Sequence, residues 1–195
     1  MTTPANQQPA VQLEGRPVTL RPMMAGDRER ILAFARSLPS HELLFLRRDI
    51  TRPEEVDAWI EQLRGGHLRT VLAVRDRGGE EEVLGYCVVD RSPVPWTRHV
   101  AELRVLVHPA AQGKGLGRLL TREAFRIATE LGVEKMIAQM TTDQRRAINV
   151  FQNMGFTNEA VLARHVKDRD GRTYDLLVLA REVSAFESSV ILSEP

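Results

Sequence analysis

A single cysteine, Cys87, stands in 195 residues. That excludes an internal disulfide and fits a reducing compartment. It falls inside the apolar run "VLGYCVVD", where a thiol is expected to serve as core packing. Net charge is almost absent too: 27 Lys and Arg against 26 Asp and Glu leave +1. Composition therefore makes no case for nucleic acid or an anionic membrane as partner. No apolar run approaches the ~20 residues that span a bilayer, and the opening "MTTPANQQPAVQLEG" lacks the basic start and apolar centre of a signal peptide. A cytoplasmic protein is expected. The five histidines are scattered and no His/Cys/Asp spacing suggests a metal, so none is expected. There is no internal repeat or low-complexity tract. A hydrophobic content of 43% suits one domain with a substantial core.

The pattern along the chain predicts a mixed α/β fold. Residues 1–13 read as a polar, proline-bearing tail, 14–183 as the domain and 184–195 as a second tail. "RPVTLRPM" alternates as a first strand. Asp27 introduces a helix with Ile31, Leu32, Phe34, Ala35 and Leu38 at helical spacing. A second helix follows Thr51, which stands at capping-box spacing from Glu54, with Pro53 in the first turn. Strands then follow at 70–76, 82–90 and 100–107, a long helix at 116–132, a strand at 134–141 and a helix at 144–155. A last hairpin turns at "DRDG". Trp96, in "SPVPWTR", reads as a hairpin cap. The expected sheet has about six to seven mixed, twisted strands with helices on both faces.

The informative stretch is "VLVHPAAQGKGLGRLL", residues 105–120, where a strand runs through a glycine-dense turn into a helix. Glycine is costly where regular structure begins. Free N–H groups and the positive dipole end at a helix start hold phosphates, and absent side chains let the backbone approach them. A mononucleotide P-loop needs Gly-Lys-Ser/Thr, but Lys114 is followed by Gly115. A dinucleotide fingerprint starting at Gly113 or Gly115 would need its third glycine at Arg118 or Leu120. Both frames fail.

Gln112-Gly113-Lys114-Gly115-Leu116-Gly117 is Q-x-x-G-x-G, and it resembles the phosphate turn of the GNAT superfamily of acetyl-CoA-dependent N-acetyltransferases. The likeness extends to Val105–Pro109 upstream, to the long helix and to the run Ala147, Phe151, Gly155, Phe156, over roughly Val18 to Val183. It implies the GNAT fold, with acetyl-CoA as cosubstrate and no metal. Amides from Gly113 to Arg118 would bind the coenzyme A pyrophosphate, with Gln112 bracing the turn. Val105, Leu106 and Val107 would meet the pantetheine arm, extending an open strand edge. The resemblance also places this edge in a splayed pair of parallel strands, 100–107 and 134–141. An amide near Leu106 or Val107 would face the thioester oxygen. Lys114, Arg118, Arg145 and Arg146 offer charge for the other phosphate. Gln144 and Phe151 complete the cofactor-binding set.

Transfer to an amine needs a proton acceptor, because alkylamines are largely protonated at neutral pH. Strand alternation puts Glu102, Arg104 and Leu106 on one face. Glu102 lies where several members of the superfamily keep their base, and it is taken as the catalytic residue, with a salt pair to Arg104 as the alternative role. Two positions depart from relatives. Phe151 replaces a tyrosine that protonates the thiolate, and Gln139 replaces the glutamate base of the branch that acetylates N-terminal amines. His108, before Pro109, is expected to be structural. The acceptor is expected to be a small-molecule amine, shaped by about residues 25–63, with Glu42 and Phe45 in a structural role. No nucleic acid or membrane partner is expected, and a homodimer stays open. The rival readings are a CoA-binding sensor that has lost turnover and an acetyltransferase of protein lysines or N-termini.

Overall fold

A computed structural model describes residues 11–184, apart from 14, 44, 45 and 169. Eight strands form one sheet in the order β1-β2-β3-β4-β5-β6-β8-β7. They are β1 (Gln12–Leu13), β2 (Arg16–Pro22), β3 (Leu68–Asp76), β4 (Glu81–Arg91), β5 (Val100–Val107), β6 (Lys135–Thr141), β7 (Thr157–Lys167) and β8 (Thr173–Glu182). Four helices cover it: α1 (Arg28–Ser37), α2 (Pro53–Leu63), α3 (Leu116–Glu130) and α4 (Arg145–Asn153). Every strand pair is antiparallel except β5 with β6.

The sheet divides the core in two. On one face Cys87, Val89, Ala101, Leu103, Met136 and Ala138 pack with α3 and α4 residues such as Leu120, Phe125 and Phe151. On the other, Leu72, Val74, Tyr86, Val88 and Leu106 pack against Ile31, Phe34, Val56 and Trp59 of α1 and α2. Alternation along β3–β6 thus serves two apolar layers at once. The Trp59 indole N–H finds the buried Thr70 hydroxyl at 3.1 Å. Cys87 is fully enclosed, and burial, helped by the Glu123 charge, pushes its thiol up to about 12, as expected of a packing residue. Among the described residues no helix is long and apolar enough to cross a membrane.

Three details differ from expectation. Residues 12 and 13, read as tail, form β1, and Leu13 is buried against the α3 side. The capping box at α2 does not form: Arg52 is the N-cap, and the Thr51 hydroxyl instead donates to Asp49 Oδ1 at 2.5 Å. Trp96 caps no hairpin face, because it stands 80% exposed on a short 3₁₀ turn. The tail expected at 184–195 lies outside the described residues beyond Ser184.

The pairing of β5 with β6 is brief. Val100, Ala101 and Glu102 match Lys135, Met136 and Ile137, and beyond that the two strands part. On the opposite side β5 stays paired with β4 through Val107. Gly85 of β4 permits that pairing: a Cβ there would lie 2.6 Å from the Leu106 carbonyl oxygen and 3.2 Å from the Val107 Cα. Backbone cannot swing aside as a side chain can. Gly85→Ala should therefore cost about 1–3 kcal/mol by overpacking, read from urea denaturation. An unchanged midpoint would mean that β5 is not pinned there.

Candidate active site

Where β5 and β6 part, a cavity of about 670 Å³ opens between them. Its walls include Glu102, Arg104, Val105 and Leu106 of β5, Gln139, Met140 and Thr141 of β6, Gln144 and Phe151 beside α4, and Arg47 from the α1–α2 connection. Glu102, Val105, Leu106, Gln144 and Phe151 were expected on sequence grounds, and the fold brings them together. Glu42, expected to be structural, also lines the cavity; Phe45 lies outside the described residues.

The glycine turn follows directly from the end of β5 but is not part of this wall. His108 Nδ1 accepts from the Ala110 N–H at 3.2 Å, a structural role as expected. The Gln112 side-chain amide donates to the Val107 carbonyl at 3.1 Å and to Glu42 Oε1 at 3.4 Å, so it braces the turn. Gly113 and Gly115 sit at φ +74° and +83°, the left-handed region that favours glycine, and a Cβ on either would meet no protein atom within 4 Å. Gly115 caps α3 without a side-chain hydrogen bond. The first bond of α3 runs from the Leu119 N–H to the Gly115 carbonyl at 3.0 Å. The amides of Leu116, Gly117 and Arg118 precede that ladder and have no partner inside the helix. Leu116 is buried, so only its backbone is on offer. Lys114 folds back to donate to the Ala110 carbonyl at 3.0 Å, while Arg118, Arg145 and Arg146 are exposed.

The face of β5 opposite α3 holds a charge cluster. Glu102 pairs in register with Asp90 of β4, so two carboxylates lie side by side. Arg104 joins them, Nε to Glu102 Oε1 at 2.7 Å and Nη2 to Asp90 Oδ2 at 3.0 Å. Arg47 donates to the second Glu102 oxygen at 2.8 Å and reaches Asp90 at 3.5 Å. Burial works against the Arg104 charge, but the two carboxylates outweigh it and hold the guanidinium above its usual value. Thr141 adds a different feature: its hydroxyl is buried in the cavity region with no hydrogen-bond partner. Such an orphan calls for an explanation, and a bound ligand supplies one.

Several residues at the site escaped the sequence reading, among them Arg47, Asp90 and Thr141, as did Arg48 and Tyr86, which line a smaller cavity beside it. Asp90 and Tyr86 depend on β4–β5 register, and the two arginines on the path of an irregular loop. Among the described residues no group of three or more His, Cys, Asp or Glu could hold a metal.

The family model of the GNAT acetyltransferases matches residues 31–156. The chain belongs to that family. It is 35% identical over 79 residues to an L-amino acid N-acyltransferase of Escherichia coli, covering 40% of this chain and 45% of the relative. It is 32% identical over 88 residues to the streptothricin acetyltransferase of Streptomyces lavendulae, covering 45% and 44%. The chain thus spans about half the length of these curated relatives. Among solved structures, the ribosomal-protein-alanine N-acetyltransferase of Brucella melitensis superposes with a TM-score of 0.71 at 25% identity, over 84% of this chain and 99% of that one. The eight-stranded mixed sheet with helices on both faces is the GNAT fold, one strand beyond the expected six to seven.

Removing Arg104 tests the cluster. Arg104→Met should cost about 2–3 kcal/mol at pH 7, somewhat less than a fully buried pair. Arg47 alone would then hold both carboxylates, at the more exposed edge of the cluster. Urea denaturation would show the loss; an unchanged midpoint would contradict the arrangement.

Proposed function

We propose that this GNAT protein is an acetyl-CoA-dependent N-acetyltransferase of small-molecule amines. The observation that carries the proposal is the early parting of β5 and β6, which leaves a strand edge open toward the glycine turn. When bound, acetyl-CoA supplies an acetyl group already activated as a thioester. The chain's own groups fit it. Amides from Gly113 to Arg118, at the positive end of α3, suit the pyrophosphate. The β5 edge at Val105, Leu106 and Val107 suits an amide-bearing arm, which binds as an added strand. An N–H at Leu106 or Val107 would donate to the thioester oxygen as charge gathers there. Gln144 and the orphan Thr141 hydroxyl lie across the same cavity.

Glu102 takes the proton of the attacking amine in this proposal, directly or through water. Both its oxygens accept from guanidiniums, so one must be released first. Arg47 is the one to withdraw, because its side chain is 60% exposed and such pairs are weak. Arg104 stays, with its side chain only 19% exposed and tied to two carboxylates. Phe151 packs edge-on against Phe156 and has no proton to give, so the thiolate leaves unaided or with water. Thiols with pKa near ~8.5 tolerate that. Two relatives named for small amines support a small acceptor, as does the near-neutral chain.

Two variants separate cofactor from chemistry. Gly115→Ala forces a side chain into the left-handed region, at about 1–2 kcal/mol, and places its Cβ where the anion would sit. Coenzyme A affinity should fall at least about tenfold by calorimetry, the added Cβ crowding the anion at ~1.4 kcal/mol or more; unchanged affinity would remove the turn from the site. Glu102→Gln should bind acetyl-CoA normally yet lose roughly 10²–10⁴-fold in rate at neutral pH. A wild-type rate and pH profile would show that another group takes the proton.

A further inference from the structure

Beside the large cavity lies a second, smaller one of about 40 Å³, reached past Arg47, Arg104 and Leu106. Three residues that the proposed chemistry does not use line it: Arg48, Trp59 and Tyr86. Arg48 lies with its Cζ 5.4 Å from the Trp59 ring centroid and donates to the neutral Gln62 amide oxygen at 2.9 Å. Among the described residues it meets no carboxylate. Tyr86 is buried, close enough to Arg48 and Arg104 for both charges to act on its phenol, and no side chain or backbone group among the described residues hydrogen-bonds to its hydroxyl.

Charge makes the same point. Among the described residues, Arg47, Arg48 and Arg104 form ion pairs with two carboxylates, Asp90 and Glu102, and both of those are engaged by Arg47 and Arg104, while the Glu55 charge acts on Arg48 without pairing with it. Arg48 is the arginine of the three left without an ion pair. Burial, with the Arg104 charge adding to it, pulls the Arg48 guanidinium below its usual value. A partly desolvated cation in that state gains most from an anion brought to it. The volume also decides the size of that anion. At roughly 10–15 Å³ for one water-sized occupant, the cavity takes about three heavy atoms, the number in a carboxylate. Guanidinium is the planar, forked partner that carboxylates match.

We infer that Arg48 and Tyr86 form a seat for a carboxylate on the acceptor, so that the amine acetylated belongs to an amino acid rather than to a simple alkylamine. This rests on the acetyltransferase reading above. The carboxylate enters the small cavity while the amine, one carbon away, faces Glu102 where the two cavities adjoin. Arg48 is a specificity-determining residue and takes no part in the proton transfer.

The test compares L-amino acids with their own carboxamides, kcat/KM being corrected for the fraction of free amine. The wild-type protein should prefer the carboxylate form at least tenfold. In Arg48→Gln that preference should collapse to near one, with KM for the amino acid rising about 10–100-fold and kcat changing little. Arg48→Lys should restore part of it, and Tyr86→Phe should reduce it less than Arg48→Gln does. Calorimetric titration of an amino acid onto the CoA-loaded protein gives a second readout, weakened in Arg48→Gln but not in its affinity for CoA. A wild type indifferent to the carboxylate, or an Arg48→Gln variant that keeps the preference, would overturn the seat while leaving the acetyltransferase intact. Absence of acetyl-CoA binding and of turnover on every amine would overturn both.

Discussion

Two parallel strands that pair for three residues and then separate set the terms for the rest of this molecule. Had β5 and β6 stayed paired to their ends, their backbone groups would have satisfied each other and no cavity would exist. Instead β5 is held on one side by β4 and α3, while its other edge opens onto space lined by β6 and α4. Gly85 keeps the held side close, and Gln112 ties the end of the strand to the turn that follows. The open edge and the unpartnered first amides of α3 are thus joined by a short turn whose N–H groups at His108, Ala110, Ala111 and Gln112 are already bonded within the protein.

On the face of β5 opposite α3, electrostatics governs. Two carboxylates set side by side by register require Arg104 between them, and Arg104 in turn needs both to remain comfortable in a half-dry place. Arg47 shields them from the solvent side, on a loop and largely exposed, which suits a group that yields its place to an incoming amine. Arg48 completes the cluster in excess. The charge pattern thus grades from a fixed centre to a movable edge, and substrate contacts belong at the edge.

Much of this was legible in the chain. The strands from β3 to β6 announced themselves through alternation, and the glycines through a spacing that only one phosphate-binding frame satisfies. Neighbouring positions on one strand, such as Glu102 and Arg104, could be placed on a common face because that needs only a period of two. Elements depending on partners far away were not legible. Leu13 and Val11 alternate over too short a run to announce a strand, and nothing local shows that Leu13 pairs beside Arg16 and enters the core. Thr51 has the spacing of a cap, yet the N-cap falls one residue later at Arg52 and the Thr51 hydroxyl turns back to donate to Asp49. Asp90 and Tyr86 join the site only through the β4–β5 register, and Arg47 and Arg48 only through the course of an irregular loop. Thr141 carries no signal at all, since an orphan hydroxyl exists only once everything around it is packed.

The main claim is that main-chain groups, at the β5 edge and in the glycine turn, hold the nucleotide thioester. Hydrogen–deuterium exchange with and without acetyl-CoA measures those groups directly. Slowed exchange is expected in peptides covering residues 105–118, with β7 unaffected. Unchanged exchange across 105–118 at saturating acetyl-CoA, or protection confined to another part of the sheet, would contradict the account.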